Sequence, residues 1–245
     1  IDREIKLSGD PCVFLDLTHL KESFIRQRFP NIYGRLKNIG IDIAVDWIPV
    51  VPAAHYMCGG IDTDTEGRSS IDNLYVVGEA AHTGMHGGNR LASNSLLEAV
   101  VFAEIAAKSA SKKLVTRKAK NKLISEFDRV MAGKIHVSEE ERILIAHLML
   151  DIKQVMSNYV GVVRSNKRLT WARRRLEIIE NDISDLWQDF PLSYDLIELR
   201  NLATVAELIV ECAQTRRESR GLHYNIDYPD LDDDNWKKDT IIIKS

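Results

Sequence analysis

The residues best placed for chemistry lie in one run, Gly84-Met85-His86-Gly87-Gly88-Asn89-Arg90-Leu91-Ala92-Ser93-Asn94-Ser95-Leu96. Its glycines let backbone approach a ligand closely. Leu96, Leu97, Val100, Val101 and Ile105 then predict a long helix opening at Ser93/Asn94. A helix N-terminus offers unpaired N–H groups and the positive end of a dipole. That end would stabilise a flavin, whose N1–C2=O edge gains negative charge on reduction. From glycines alone, a plain turn before an ordinary helix is the stronger reading. The upstream run Leu74-Tyr75-Val76-Val77 shifts the balance, because it reads as a strand buried on both faces and ending at Gly78-Glu79. A carboxylate at such a strand end is placed to bind sugar-like hydroxyls. Arg90 and His55 are candidate anion binders. Arginine presents a planar fork that matches a carboxylate, with a surface ion pair as the alternative. His55 precedes Tyr56 and the Gly59-Gly60 turn, so it sits on a loop, with a satisfied structural histidine as the alternative.

Other chemistries find little support. No Ser-His-Asp order, P-loop or HExxH occurs. Cys12, Cys58 and Cys212 are far apart with no CxxC, which argues against a structural zinc site and a disulfide framework and fits a reducing cytoplasm. The net charge of −3 gives no global basic field for nucleic acid or an anionic membrane. No apolar run approaches a membrane span. The basic run Lys167-Arg168 with Arg173-Arg174-Arg175 reads as the solvated face of a helix, because Leu169, Ala172, Leu176 and Ile179 form an apolar stripe opposite it.

The elements that must position these groups follow from periodicity. Residues 1–48 are mixed. A strand is expected over Cys12 to Leu17, a helix over about 20–29 capped by Thr18, a break at Pro30, a short helix from Ile32 to Asn38, and an extended segment over 41–48. Residues 49–112 hold the glycine-rich run and its helix. Residues 113–137 read as a linker. From 138 to 218 three helices are expected, near 138–160, 166–188 and 193–218, with Ser193 as a cap and Leu199, Leu202, Ala206, Ile209 and Ala213 as the third helix's buried stripe. Short connections make these a three-helix bundle. Residues 219–245, with Gly221, Pro229 and the acidic run 232–234, read as an extended, partly mobile tail. The fold class is therefore α+β. The chain opens at Ile1 without Met and enters a folded pattern at once, which reads as a fragment.

Three stretches taken together resemble a known group. His55-Tyr56-x-x-Gly59-Gly60, Gly78-Glu79 and His86-Gly87-x-Asn89-Arg90-Leu91-Ala92-Ser93-Asn94-Ser95-Leu96-Leu97-Glu98 resemble the fumarate reductase/succinate dehydrogenase flavoprotein superfamily. Within it the chain looks most like the L-aspartate oxidase family. Ala92-Ser93 stands where succinate dehydrogenases usually carry Gly-Ala. Phe14-Leu15-Asp16 to Phe29-Pro30 is similar to the oxidases' capping region, and Glu218 to Tyr224 with Asp227-Tyr228-Pro229 to their tail. The resemblance implies end pieces of a capping domain (1–48) and of an FAD-binding α/β domain (49–112), ahead of the bundle. It implies that His55 and Arg90 bind substrate carboxylates and that Glu79 contacts the ribose or ribityl part of FAD. Asn94, Ser95 and Leu96 would meet the isoalloxazine from the helix start. The implied reaction is FAD-dependent oxidation of L-aspartate to iminoaspartate in de novo NAD biosynthesis, with oxygen or fumarate taking the electrons and quinolinate synthase receiving the product.

One departure bears on activity. The family's GxGxxG, which holds the ADP part of FAD, occurs nowhere in the chain. The arginine proposed as the family's proton acceptor would lie just before the segment matching Ile1. No catalytic residue is therefore assigned within the chain, and the isolated chain is expected to bind FAD weakly and to be inactive. Two other readings compete: a fragment of a succinate dehydrogenase or fumarate reductase flavoprotein subunit, and a non-catalytic helical interaction module.

Overall fold

The computed structural model describes residues 1–114, 138–189 and 193–243. The chain divides into two compact units, Ile1–Ala54 and His55–Ser245. The boundary falls after the expected 48/49 junction because Pro49 belongs to a strand of the first unit.

In the first unit, helix α1 (Asp2–Ser8) precedes strand β1 (Val13–Leu15), helices α2 (Glu22–Arg28) and α3 (Pro30–Asn38), and strand β2 (Ile48–Val50). Strands β1 and β2 pair antiparallel, with Phe14 opposite Pro49. Ile25, Tyr33, Ile43 and Ile48 form the core. Thr18 does not cap α2. Its N–H and hydroxyl both donate to Asp16 Oδ1, at 2.8 and 2.7 Å, and Lys21 takes the cap position. This local turn outcompetes the cap. The expected break falls at Pro30: α2 ends at Arg28, and Pro30 opens α3, since its missing N–H is unpaired in a first turn anyway. The expected extended segment 41–48 contains a turn. Asp42 Oδ1 accepts from Ala44 N, and Val45 N donates to Asp42 O. That turn drives Ile43 fully into the core.

In the second unit, strands β3 (Ile61–Asp62) and β4 (Ala81–His82) pair in parallel. A 3-10 turn, Gly78–Ala80, leads into β4, and helix α4 (Asn94–Leu114) follows the glycine-rich run. A Cβ on Gly60 would stand 2.3 Å from the Ala80 carbonyl oxygen, so only glycine admits this approach. Residues 74–77 are not the doubly buried strand expected. Tyr75 makes one antiparallel bridge, to Arg68, while Val76 is buried and Leu74 exposed. Among the described residues this segment finds a pairing partner on one side only, so its apolar run signals packing rather than a central strand. Its support comes from Tyr75 OH and Ser109 Oγ of α4, 3.4 Å apart.

Helices α5 (Glu139–Tyr159), α6 (Asn166–Asp189) and α7 (Tyr194–Thr215) form the expected three-helix bundle. Ser138 and Ser193 cap α5 and α7, accepting from Glu141 N and Leu196 N. On α6 the buried stripe is Leu169, Ala172, Leu176, Ile179, Ile183 and Leu186. On α7 it is Leu196, Leu199, Ala203, Ala206, Val210 and Ala213. Leu202 and Ile209 flank that stripe, partly buried, where Ala203 and Val210 take the centre. Smaller residues at the seam let helix axes approach more closely. Most of the expected linker, residues 115–137, lies outside the described residues, and Lys113 and Leu114 belong to α4.

The segment after α7 is folded back rather than extended. The fully buried Glu218 accepts from Arg220 Nε at 2.7 Å and Asp232 N at 2.9 Å, and it also pairs with Arg216. The Arg220 guanidinium, then Asp232 N–H and Arg216, hold this carboxyl down to about 2. Asn225, also fully buried, donates to Asn166 Oδ1 at the start of α6. Asp232 then caps the short helix α8 (Asp233–Trp236). A charged side chain tolerates such burial only when its lone pairs are filled, as they are here.

Candidate active site

Helix α4 carries Glu98 on its inner face, 2% exposed. Its two oxygens gather three side chains from two loops. Tyr56 OH donates to Oε2 at 3.2 Å, Thr83 Oγ1 donates to Oε1, and His86 Nε2 lies 2.7 Å from Oε2. The His86 ring meets the Tyr56 ring edge-on, with centroids 5.4 Å apart. Burial, reinforced by the neighbouring Glu98 carboxyl, pushes the Tyr56 phenol up, so it remains a proton donor at neutral pH. Together with Gly59, Ala81, Gly84 and Gly87, these groups line an open hollow of about 230 Å³.

Arg90 sits at the edge of this cluster, with its guanidinium carbon 4.6 Å from the Tyr56 ring centroid. Its Nε is buried with no hydrogen-bond partner. None of the described carboxylates forms a salt bridge with it, so the expected alternative of a surface ion pair finds no partner here. An arginine with a vacant fork and an orphaned Nε retains its capacity for a planar anion. His55, next to Tyr56, is exposed and accepts or donates no hydrogen bond among the described residues. Glu79 is exposed on the 3-10 turn, where its Oε1 accepts from Met57 N at 3.0 Å. It thereby ties the loop after His55 to the turn before β4.

Asn94 and Ser95 are half-buried at the start of α4, and Leu96 is exposed. Ser93 holds a left-handed φ of 73°, an uncommon conformation for a side-chain-bearing residue, so it turns the chain into α4 rather than capping it. The first-turn N–H groups of a helix lack intrahelical acceptors. Here they stand beside the vacant Arg90 fork in sequence and at the exposed end of the helix, which suits an electron-rich ring edge. The residues present therefore fit the isoalloxazine end of a flavin.

Two features of the site escaped the sequence reading. One is Glu98, which closes the motif ending Leu96-Leu97-Glu98 but had no role assigned to it. The other is the return of the tail. Leu222 N donates to Gly88 O at 2.9 Å, and Arg164, between α5 and α6, takes up both sides of the strap, donating N–H to Tyr224 O and accepting from Ile226 N. Gly221, with φ +59°, lies so close that a Cβ there would stand 2.0 Å from Gly88 O.

Comparison with known proteins fits this geometry. Residues 1–96 match a family described as FAD binding domain, and residues 149–245 match one described as Fumarate reductase flavoprotein C-term. An L-aspartate oxidase from Yersinia pestis is 45% identical over 94% of the chain, and one from Pseudomonas aeruginosa is 46% identical over 99%. Over the length it shares with them, the chain is similar to L-aspartate oxidases. It spans 42% and 44% of the length of those two oxidases. Among solved structures, a mutated E. coli quinol fumarate reductase FrdA is similar at a TM-score of 0.77 and 28% identity, over 96% of the chain and 43% of that protein. Mycobacterium smegmatis Sdh1 gives 0.78 and 27%, over 97% and 42%. Identity to those two oxidases is higher than to these two structures.

Proposed function

We propose that this chain is the part of an FAD-dependent L-aspartate oxidase that clamps the substrate's carboxylates and abuts the flavin ring. The observation that carries this reading is Arg90: a guanidinium stacked on Tyr56, with a buried, unpartnered Nε and no carboxylate of the chain in its fork. A dicarboxylic amino acid supplies the missing partner. Arg90 takes one carboxylate bidentately, while the exposed His55 takes the other. FAD, when bound, would supply the hydride acceptor for oxidation at the substrate's Cα. Ser95 and Leu96 offer backbone N–H groups to the ring edge, and Glu79 reaches the ribityl or ribose hydroxyls. Iminoaspartate leaves as product, in NAD biosynthesis, with oxygen or fumarate as final electron acceptor and quinolinate synthase as the receiving enzyme. Because the chain lacks a GxGxxG, the pyrophosphate would be held by residues outside it. The isolated chain then binds FAD weakly and turns over no aspartate.

The test is Arg90→Lys in the flavin-loaded full-length protein. Lysine keeps the charge and loses the fork. L-aspartate turnover should fall by about two orders of magnitude, in line with a misplaced reactant, while flavin content stays unchanged. Turnover equal to the unsubstituted protein's would remove Arg90 from the substrate site.

A further inference from the structure

The group that organises this site is the one that touches neither proposed ligand. Glu98 is 2% exposed on α4, yet it holds Tyr56 from the His55 loop and both Thr83 and His86 from the glycine-rich loop. Tyr56 is far in sequence from Thr83 and His86, and among the described residues Glu98 is the polar partner that joins the two loops. Tyr56 is the hinge of the arrangement. Its hydroxyl is fixed by Glu98, its ring carries the Arg90 guanidinium at 4.6 Å, and it adjoins His55. Release of the Tyr56 hydroxyl would therefore free the ring that supports Arg90 and loosen the loop that carries His55.

We propose that Glu98 is a positioning residue for the dicarboxylate clamp, acting through Tyr56 and His86 to set the relative placement of Arg90 and His55. The proposal rests on the reading of Arg90 and His55 given above. A buried carboxyl must be hydrogen-bonded, and a purely structural solution needs only local donors. Glu98 instead spends all of its observed hydrogen bonds on the two loops that carry the clamp. Backbone N–H groups of α4 and polar side chains of the bundle take no part. A clamp of two arms binds a two-headed anion well only when the arms are held at a fixed spacing, so loosening Glu98 should weaken the bidentate ligand and spare a monocarboxylate.

The experiment uses the flavin-loaded full-length protein with Glu98→Gln, Glu98→Asp and Tyr56→Phe. Binding of succinate, an unreactive dicarboxylate, and of acetate is followed by the change in flavin absorbance. L-aspartate kinetics and melting temperature are measured alongside. Glu98→Gln keeps the shape but offers one carbonyl in place of two acceptors. It should weaken succinate about 10-fold or more and raise KM for L-aspartate, on the scale of a misplaced binding group. Acetate affinity and flavin content should hold. Tyr56→Phe, which keeps the ring and removes only the hydroxyl, should reproduce a large part of that loss, and Glu98→Asp should recover part of it. Succinate affinity unchanged in both Glu98→Gln and Tyr56→Phe would overturn the proposal. So would a lower melting temperature with equal losses for succinate and acetate, the signature of a merely structural residue. Failure of the unsubstituted protein to bind succinate at all would instead bring down the reading of Arg90 and His55, and the role of Glu98 with it.

Discussion

Replacing Gly221 by alanine should loosen the site from a distance. Gly221 sits in the strap that returns after α7, at φ +59°, with Gly88 directly against it. A Cβ there would meet Gly88 O at 2.0 Å, its carbonyl carbon at 2.3 Å and its Cα at 2.8 Å. All three are backbone atoms, so no side chain can swing away. Ordinary contact needs roughly 3.5 Å, so strap and loop must part by more than about 1 Å. That separation breaks the Leu222 N to Gly88 O hydrogen bond of 2.9 Å, worth about 1 kcal/mol. The left-handed backbone adds about 1–2 kcal/mol for a residue with a Cβ. A local cost of about 2–3 kcal/mol results, relieved most cheaply by detaching the strap from Gly88 rather than by disturbing the bundle. The melting temperature should therefore fall by only a few degrees, while succinate binding to the flavin-loaded full-length protein weakens about 10-fold, because Arg90 follows Gly88 by two residues. Gly40→Ala is the control. It has φ +87° but nothing within 4 Å of the added Cβ, so it bears the backbone cost without the collision. If Gly221→Ala matched Gly40→Ala in succinate affinity, the strap would not be holding the loop.

Two further outcomes test the scaffold. The fragment 138–218 should fold alone as a helical bundle, and Leu199→Asp within it should cost about 4 kcal/mol, the scale of an uncompensated buried charge, since Leu199 is fully buried; an unchanged melting curve by circular dichroism would dislodge that core assignment. His223, whose Nδ1 lies 2.9 Å from Arg164 Nη1, is pulled down to about 4 by burial first and then by the Arg164 charge. Its folded value lies below the ordinary 6.5, so the unfolded state binds the extra proton and stability should fall as pH drops from 6.5 to about 4. With partial exposure allowed for, the loss should be about 2 kcal/mol. Protection of the Leu222 amide, measured as its deuterium exchange relative to the intrinsic rate at each pH, should fall over that window, and His223→Gln should flatten the dependence; equal profiles for both proteins would contradict it.

The bundle was legible in the sequence because its information is local. Leu169, Ala172, Leu176 and Ile179 repeat at helical spacing, and all four are buried. Ser193 could be read as a cap from type and position alone. On α7 periodicity found the right face but not its centre, since Leu202 is the larger side chain while Ala203 occupies the seam. Residues 74–77 were misread because an apolar run reports burial and cannot report which neighbours supply hydrogen bonds. The tail was misread for a related reason. Glu218 and Asn225 are polar, and hydropathy places such residues in water, whereas here their partners bury them completely. Within the site, Arg90, His55 and Glu79 stood out by motif. The role of Glu98 depends on Tyr56, 42 residues away, and on loop geometry that no spacing rule encodes.

The contact between Gly88 and the Gly221-Leu222 strap has a temporal meaning as well. A ribosome emits the glycine-rich loop first, then the entire bundle, and only afterwards the strap that fastens that loop. Nascent chains fold in the order they emerge. Helix α4 and the bundle can therefore assemble while the loop bearing Arg90 is still unfastened, and the loop is locked only once the strap has emerged and docked. Fastening of that loop is thus a late event in the life of the polypeptide. A stall between α7 and the strap would leave a helical body whose glycine-rich loop had never been fastened.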